Sequence, residues 1–66
     1  GLEGITIIKV TIETNGLVKN AMIIRSSGHE EIDNASIQAA IKSTFKPINE
    51  ISKINIRYEH KIKNYR

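Results

Sequence analysis

The chain has 66 residues, a formal net charge of +3 and no cysteine. This length predicts a single domain over residues 1–66. The lack of cysteine excludes disulfides, iron–sulfur clusters and thiolate zinc sites. Isoleucine fills 14 positions, which favours a core built on a sheet. The apolar stretches are far shorter than the roughly 20 residues of a membrane span. Because the chain starts at Gly1 without methionine, we expect a domain excised from a longer protein.

The positive charge is concentrated in the last third of the chain. Residues 1–41 carry three basic and five acidic side chains, a net charge of −2. Residues 42–66 carry seven basic and two acidic side chains, a net charge of +5. Such a segment suits nucleic acid, an anionic membrane surface or an acidic protein partner, or is simply a solvated face.

The first half of the sequence predicts a β-hairpin. From Thr6 to Ile12 the even positions are Thr, Ile, Val and Ile, whereas the odd positions from Lys9 to Glu13 are polar. This alternation is typical of a strand with one solvated face. Asn15 and Gly16 then predict a type I′ turn, in which both residues have positive φ. The next strand, over residues 17–26, changes its apolar phase, so we expect a bulge near residues 19–20.

A turn and a helix follow the hairpin. Ser, Ser, Gly and His at 26–29 predict the turn. Asp33 is predicted to be the helix N-cap, because its carboxylate can accept a free N–H of the first turn. Pro47 disfavours a helical conformation just before it, so the helix should end by about Phe45. One apolar stripe has helical spacing: Ile37, Ala40, Ile41, Thr44 and Phe45.

The last segment predicts a strand with one dry and one charged face. Its even positions, from Ser52 to Ile62, are mostly apolar, whereas its odd positions, from Lys53 to Lys63, are polar or charged. The helix returns the chain across the sheet, so this strand runs parallel to the second and fits beside the first, by a right-handed crossover. The prediction is an α+β fold of β-β-α-β order, a three-stranded antiparallel sheet of order 2-1-3 with one helix on one face. The third strand is left on an edge.

Residue types that serve in catalysis do not form a catalytic pattern here. In the run from His29 to Asp33, a zinc-binding HExxH motif would need a second histidine at position 33, and the one other histidine is His60. Ser26 and Ser27 provide hydroxyls, but no nucleophile elbow or oxyanion hole surrounds them. A chain of this size also lacks room for a cleft. We therefore predict no enzymatic activity, no metal and no cofactor.

Nucleic-acid binding is an alternative function, because the basic and aromatic residues of the final segment could contact phosphates and stack on bases. By alternation, however, Tyr58 falls on the apolar face, away from the cations. Edge strands also carry lysine as protection against aggregation. We therefore expect no nucleic-acid partner. The residues considered for it are Lys53, Arg57, Lys61, Lys63, Tyr58 and Tyr65.

Five short segments of the chain form an ordered set of motifs: Gly4–Glu13, 15–18 (Asn-Gly-Leu-Val), 26–28 (Ser-Ser-Gly), 32–35 (Ile-Asp-Asn-Ala) and 45–47 (Phe-Lys-Pro). This set resembles the TonB C-terminal domain family. The family pattern is a strand, a turn glycine with valine two residues on, a strand ending in Ser-Ser-Gly, a Leu-Asp helix start and a helix that closes in Phe-x-Pro. In this chain isoleucine replaces the leucine before the Asp, and neither the tryptophan before the Phe nor an upstream helix is present.

The resemblance implies a periplasmic energy-transducing domain of an inner-membrane-anchored protein. Its partners would be an outer-membrane transporter for iron chelates or similar nutrients and, through the missing N-terminal part, inner-membrane proton-channel proteins. A TolA-like envelope adaptor is an alternative. The family binds a transporter segment along the edge of its final strand, by β-augmentation. A homodimer through strand pairing or exchange is also expected. The partner-binding residues predicted here are Lys53, Ile54, Asn55, Ile56, Arg57, Tyr58 and Glu59.

Overall fold

A computed structural model describes residues 1–63 and has the predicted architecture. All strand pairs are antiparallel, and the sheet order β2-β1-β3 confirms the predicted order 2-1-3. The one helix packs on one face of the sheet, closer to β1 and β2 than to β3. The elements are β1 (Leu2–Ile12), β2 (Val18–Arg25), α1 (Glu30–Lys42) and β3 (Ser52–Ile62).

The core lies between the central strand and the helix. Ile8 and Val10 of β1 are completely buried and Ile12 nearly so, and Ala40 of α1 packs against them. These β1 residues are the even positions of the predicted alternation, so the helix covers the face that the sequence indicated. Around this centre pack partly buried side chains from all the other elements: Val18, Ala21, Ile23, Ile37, Phe45, Ile48, Ile56 and Tyr58.

The pairing of β1 with β2 contains two bulges. Thr11 pairs with Asn20 and Ile12 with Val18, so Lys19 is an extra residue on β2 and the predicted bulge is confirmed. The second bulge was not predicted. There Ile8 pairs with Ile23 and Ile7 with Arg25, which leaves Ile24 without a partner residue.

The hairpin loop is one residue longer than a two-residue type I′ turn, and the prediction of a type I′ turn was wrong. Gly16 donates to Glu13 O at 2.8 Å, and Glu13 N donates to Leu17 O at 2.9 Å, so the loop has three residues. Gly16 has φ of +86° but Asn15 does not have positive φ. This is a type I turn followed by a left-handed glycine. The Asn15 side chain instead accepts a hydrogen bond from Leu17 N at 3.0 Å.

The helix starts and ends earlier than predicted. It begins at Glu30 with His29 at the N-cap, so Asp33 lies within the helix and its prediction as N-cap was wrong. It ends at Lys42 rather than near Phe45, because the next residues extend along the hairpin. Thr44 forms a β-bridge with Leu17, and Phe45 N donates to Gly16 O at 2.8 Å. The backbone groups that would continue the helix are thus used by the hairpin.

Two glycines with similar backbone conformations provide a test of this contact. A Cβ on Gly16 would lie 2.0 Å from Phe45 O, whereas a Cβ on Gly28, with φ of +89°, would meet nothing within 4 Å. We expect Gly28→Ala to lower the free energy of unfolding by about 1 kcal/mol, the cost of left-handed backbone. Gly16→Ala should cost at least about 2 kcal/mol more, because the loop after the helix must move. Urea unfolding of both variants measures the difference, and equal losses would contradict the contact.

Candidate partner-binding edge

The outer edge of β3 is the longest regular backbone surface of the sheet. β3 pairs with β1 over 11 residues, from Leu2 opposite Ile62 to Ile12 opposite Ser52, without a register shift. On its other side no strand is paired within residues 1–63. Alternate N–H and C=O groups of β3 therefore point outward in an even row, which is the template that an added strand needs.

The opposite edge, on β2, is a poorer template. This strand has 8 residues, and the extra residues Lys19 and Ile24 lie close to its two ends. Bulges interrupt the ladder and increase the local twist, and proteins use them to protect edges from pairing. The two edges of the sheet are thus unequal, and the regular one belongs to β3, the strand that the sequence predicted to lie on an edge.

The odd-numbered predicted site residues lie on the sheet face that the helix leaves open. Lys53, Asn55, Arg57 and Glu59 are all exposed. Arg57 Nη2 lies 3.9 Å from Glu59 Oε2, and both side chains are well solvated. Exposed pairs of this kind contribute little to stability, so Arg57 remains available to a partner.

The even-numbered predicted site residues face the helix. Ile56 and Tyr58 are partly buried against the core, and the Tyr58 ring stacks on His60 with centroids 6.3 Å apart. Ile54 is 39% exposed because the helix covers β3 less completely than β1 and β2. An apolar strip therefore lies beside the edge on this side. Tyr58 is turned away from the open-face cations, as expected, and Tyr65 lies outside the described residues.

A hydrogen-bond cluster around Asp33 fixes the helix to the sheet. Its carboxylate accepts from the hydroxyl of Thr6 at 2.8 Å, from the backbone N–H and hydroxyl of Ser27 at 2.9 and 2.8 Å, and from the Ser26 hydroxyl. Thr6 is completely buried in β1. One carboxylate thus joins the helix to β1 and to the turn after β2, and sequence reasoning missed this role. The sequence signal that could have revealed it is Thr6, a polar residue at a predicted core position that needs a buried hydrogen-bond partner.

The same cluster explains the residues that resembled a catalytic triad. Both serine hydroxyls donate directly to Asp33, and the Ser27 hydroxyl also contacts the backbone of His29, with its Oγ 3.1 Å from the carbonyl oxygen. In a Ser-His-Asp triad the imidazole would lie between the hydroxyl and the carboxylate. The arrangement is that of a hydrogen-bonded turn at the start of the helix.

These donors also change the acidity of Asp33. The Ser26 hydroxyl, followed by the Ser27 backbone N–H, holds the pKa of this carboxyl well below its usual range. Hydrogen bonds that stabilise the charged form have this effect, and here they outweigh the opposing effect of burial. The ionised carboxylate is therefore the form that stabilises the fold.

Within residues 1–63 the structure has neither a metal-type cluster nor a membrane helix. No group of three or more His, Cys, Asp or Glu residues there is placed to hold a metal ion. The helix of 13 residues is too short to cross a bilayer, and no other helix occurs in this part of the chain.

The fold and its edges define a small α+β domain with one long, regular sheet edge. A family model described as Gram-negative bacterial TonB protein C-terminal matches residues 1–64, and the chain belongs to this family. The chain is a TonB-like energy-transducing domain. Domains of this family are periplasmic and non-catalytic, and the family is associated with outer-membrane transporters. Neither the curated proteins nor the solved structures gave a significant match.

Asp33→Asn tests the carboxylate cluster. Replacing the charged acceptor of four hydrogen bonds should lower the free energy of unfolding at pH 7 by about 2 kcal/mol. A carboxyl with a lowered folded-state pKa stabilises above its unfolded pKa of about 3.9 and loses this effect as pH falls. The difference between wild type and variant should therefore shrink below about pH 4.

Glu30→Gln is the matched control for this measurement. Glu30 is an exposed acid in the first turn of the same helix, so its replacement should cost about 0.5 kcal/mol through the helix dipole alone. Urea unfolding between pH 2.5 and 7 compares the two variants with wild type. Equal and small losses for both would show that the cluster does not stabilise the domain.

Proposed function

We propose that this domain binds an outer-membrane transporter by adding a segment of that partner as a fourth strand beside β3. The observation that carries this proposal is the unbroken pairing of β3 with β1 over 11 residues, which leaves a regular outer edge. Backbone hydrogen bonds along an edge provide affinity without a preformed pocket. The predicted contact region is Lys53–Glu59.

The two faces of the edge favour different side chains in the added strand. On the open face Lys53 and Arg57 would attract acidic residues of the partner. On the helix face Ile54 and Ile56 would receive apolar ones. A partner strand in which acidic and apolar residues alternate fits both faces, since successive side chains of a strand point to opposite sides.

The geometry also suits the transmission of force. A strand on this edge would be held by a row of backbone hydrogen bonds, and β3 itself is held by the ladder to β1. A pull along the strands would load these bonds together. In this proposal the domain is the periplasmic end of an inner-membrane-anchored protein driven by proton-channel proteins, and the transporter takes up iron chelates or similar nutrients.

Proline scanning of β3 tests strand addition. Proline removes a backbone donor, and N–H groups of successive residues in an edge strand point alternately to β1 and outward. Of Asn55→Pro and Ile56→Pro, one should therefore disrupt the fold, and the other should stay folded and lose binding. Binding is measured by calorimetry, with the tightest-binding of a set of synthetic peptides that cover the periplasmic segments of an outer-membrane transporter. We expect at least a tenfold loss of affinity for the folded variant.

Lys19→Pro is the matched control on the opposite edge. Lys19 is the extra residue of a bulge, a position that accepts proline. This variant should fold and bind the peptide as the wild type does. Normal binding by a folded β3 proline variant would rule out strand addition at this edge.

The same edge should pair with itself when no partner is present. Exposed regular edges favour association between copies of a chain, so we expect the isolated domain to dimerise at high concentration through β3. Sedimentation equilibrium should show this dimer, and saturating transporter peptide should convert it to a monomeric complex. A dimer that persists with the peptide bound would show that the copies associate through another surface.

A further inference from the structure

The second bulge of β2 places two arginines on opposite sides of one central residue. Without the extra residue, Ile24 would stand opposite Ile7, but the bulge moves Arg25 to that position. From the other side Arg57 of β3 is also opposite Ile7. The two arginine Cα atoms are therefore about 10 Å apart, two strand spacings, which lets both guanidinium groups reach one anion above Ile7.

These arginines border a shallow hollow in the open face. Two acids of the open face lie near cations of β3: Glu59 is 3.9 Å from Arg57, and Glu3 is 3.8 Å from Lys61. Arg25 has no such ion pair with a residue of the described chain. The hollow is lined by Ile5, Ile7, Arg25, Ser26, Ser27 and Arg57.

The floor of the hollow is aliphatic. Ile5 and Ile7 are half-buried there. Outside the hollow, Met22 is 64% exposed and lies opposite Lys9 of β1. Phe45 and Tyr58, the aromatic residues within the described part of the chain, pack on the core side. A nucleic acid would lack an aromatic stacking partner on such a floor, whereas a peptide that carries a carboxylate beside an aliphatic side chain matches it.

This surface is separate from the edge in the proposed function. A strand added outside β3 would lie about 14 Å from β2, three strand spacings away, so its side chains could contact Arg57 but not Arg25. Contact with Arg25 requires a segment that crosses the open face.

We propose that Arg25 and Arg57 form a carboxylate clamp, which binds an acidic segment of a protein partner lying across the open face of the sheet. Each guanidinium can donate two parallel hydrogen bonds to a carboxylate. The aliphatic floor receives the neighbouring side chain of that segment. The bulge at Ile24 is then the feature that brings the second arginine into the site.

The test uses the isotopically labelled domain and two short peptides. The probe is acetyl-Leu-Glu-Glu-Leu-amide, and its control is the same peptide with glutamine in place of glutamate. In NMR titrations at about 0.15 M salt, where long-range attraction is screened, the acidic probe should shift the side-chain Nε–H signals of Arg25 and Arg57 and the amide of Ile7. The glutamine peptide should leave them unchanged. Shifts confined to the amides of β3, or equal shifts with both peptides, would overturn the clamp.

Charge-removing variants show whether the two arginines act together. Arg25→Gln and Arg57→Gln should each weaken binding of the acidic probe about fivefold. The double variant should lose less affinity for the acidic probe than the product of the two single fold-losses, because both side chains hold one carboxylate. Lys19→Gln removes the same charge from β2 outside the hollow and should change affinity less than twofold.

Two results would overturn the inference. Equal losses of affinity for the acidic probe in Arg25→Gln and Lys19→Gln would mean that binding depends only on the net charge of the domain. Tighter binding of a 12-nucleotide single-stranded DNA than of the peptide, with a steep salt dependence, would identify a nucleic-acid surface instead. Loss of binding at the β3 edge by a proline variant would not affect the Arg25 result, so this proposal and the proposed function fail separately.

Discussion

The three strands and one helix of residues 1–63 cannot cover both faces and both edges of the sheet. The helix covers the face formed by Ile8 and Val10, where burial of apolar surface stabilises the fold. The other face and the two edges remain in contact with solvent. The sequence gives each of these surfaces a different character. The edge strand β2 carries bulges, the edge strand β3 is regular, and the open face is mostly charged along β3. The proposed binding surfaces follow from what the helix leaves uncovered.

The regular edge depends on contacts some distance from it. Asp33 joins the helix to β1 and to the turn after β2, and the segment after the helix bonds to the hairpin at Gly16. These contacts hold the two ends of α1 in place on the sheet. β1, fixed in this way, pairs along the whole of β3. A small domain can therefore present a regular edge without a disulfide or a metal-binding cluster within the described residues.

Much of this architecture could be predicted, because alternation and helical spacing are strong signals when one face is buried. The bulge at Lys19 was predictable because the apolar phase changes there. The bulge at Ile24 was not, since Ile23 and Ile24 are both apolar and no phase change shows. The role of Asp33 was missed because a carboxylate near a helix start suits an N-cap equally well. The true end of the helix depended on a contact with Gly16, distant in sequence.

Cross-strand NOEs between a labelled domain and an unlabelled transporter peptide test the β3 edge most directly. If the peptide adds to the sheet, its Hα and N–H protons should show contacts with residues 53–59 of β3, at alternate positions as in a strand ladder. The outer amides of β3 should also become protected from hydrogen exchange, while those of β2 remain unchanged. Contacts to β2, or to the open face without any contact to the β3 backbone, would contradict strand addition at this edge.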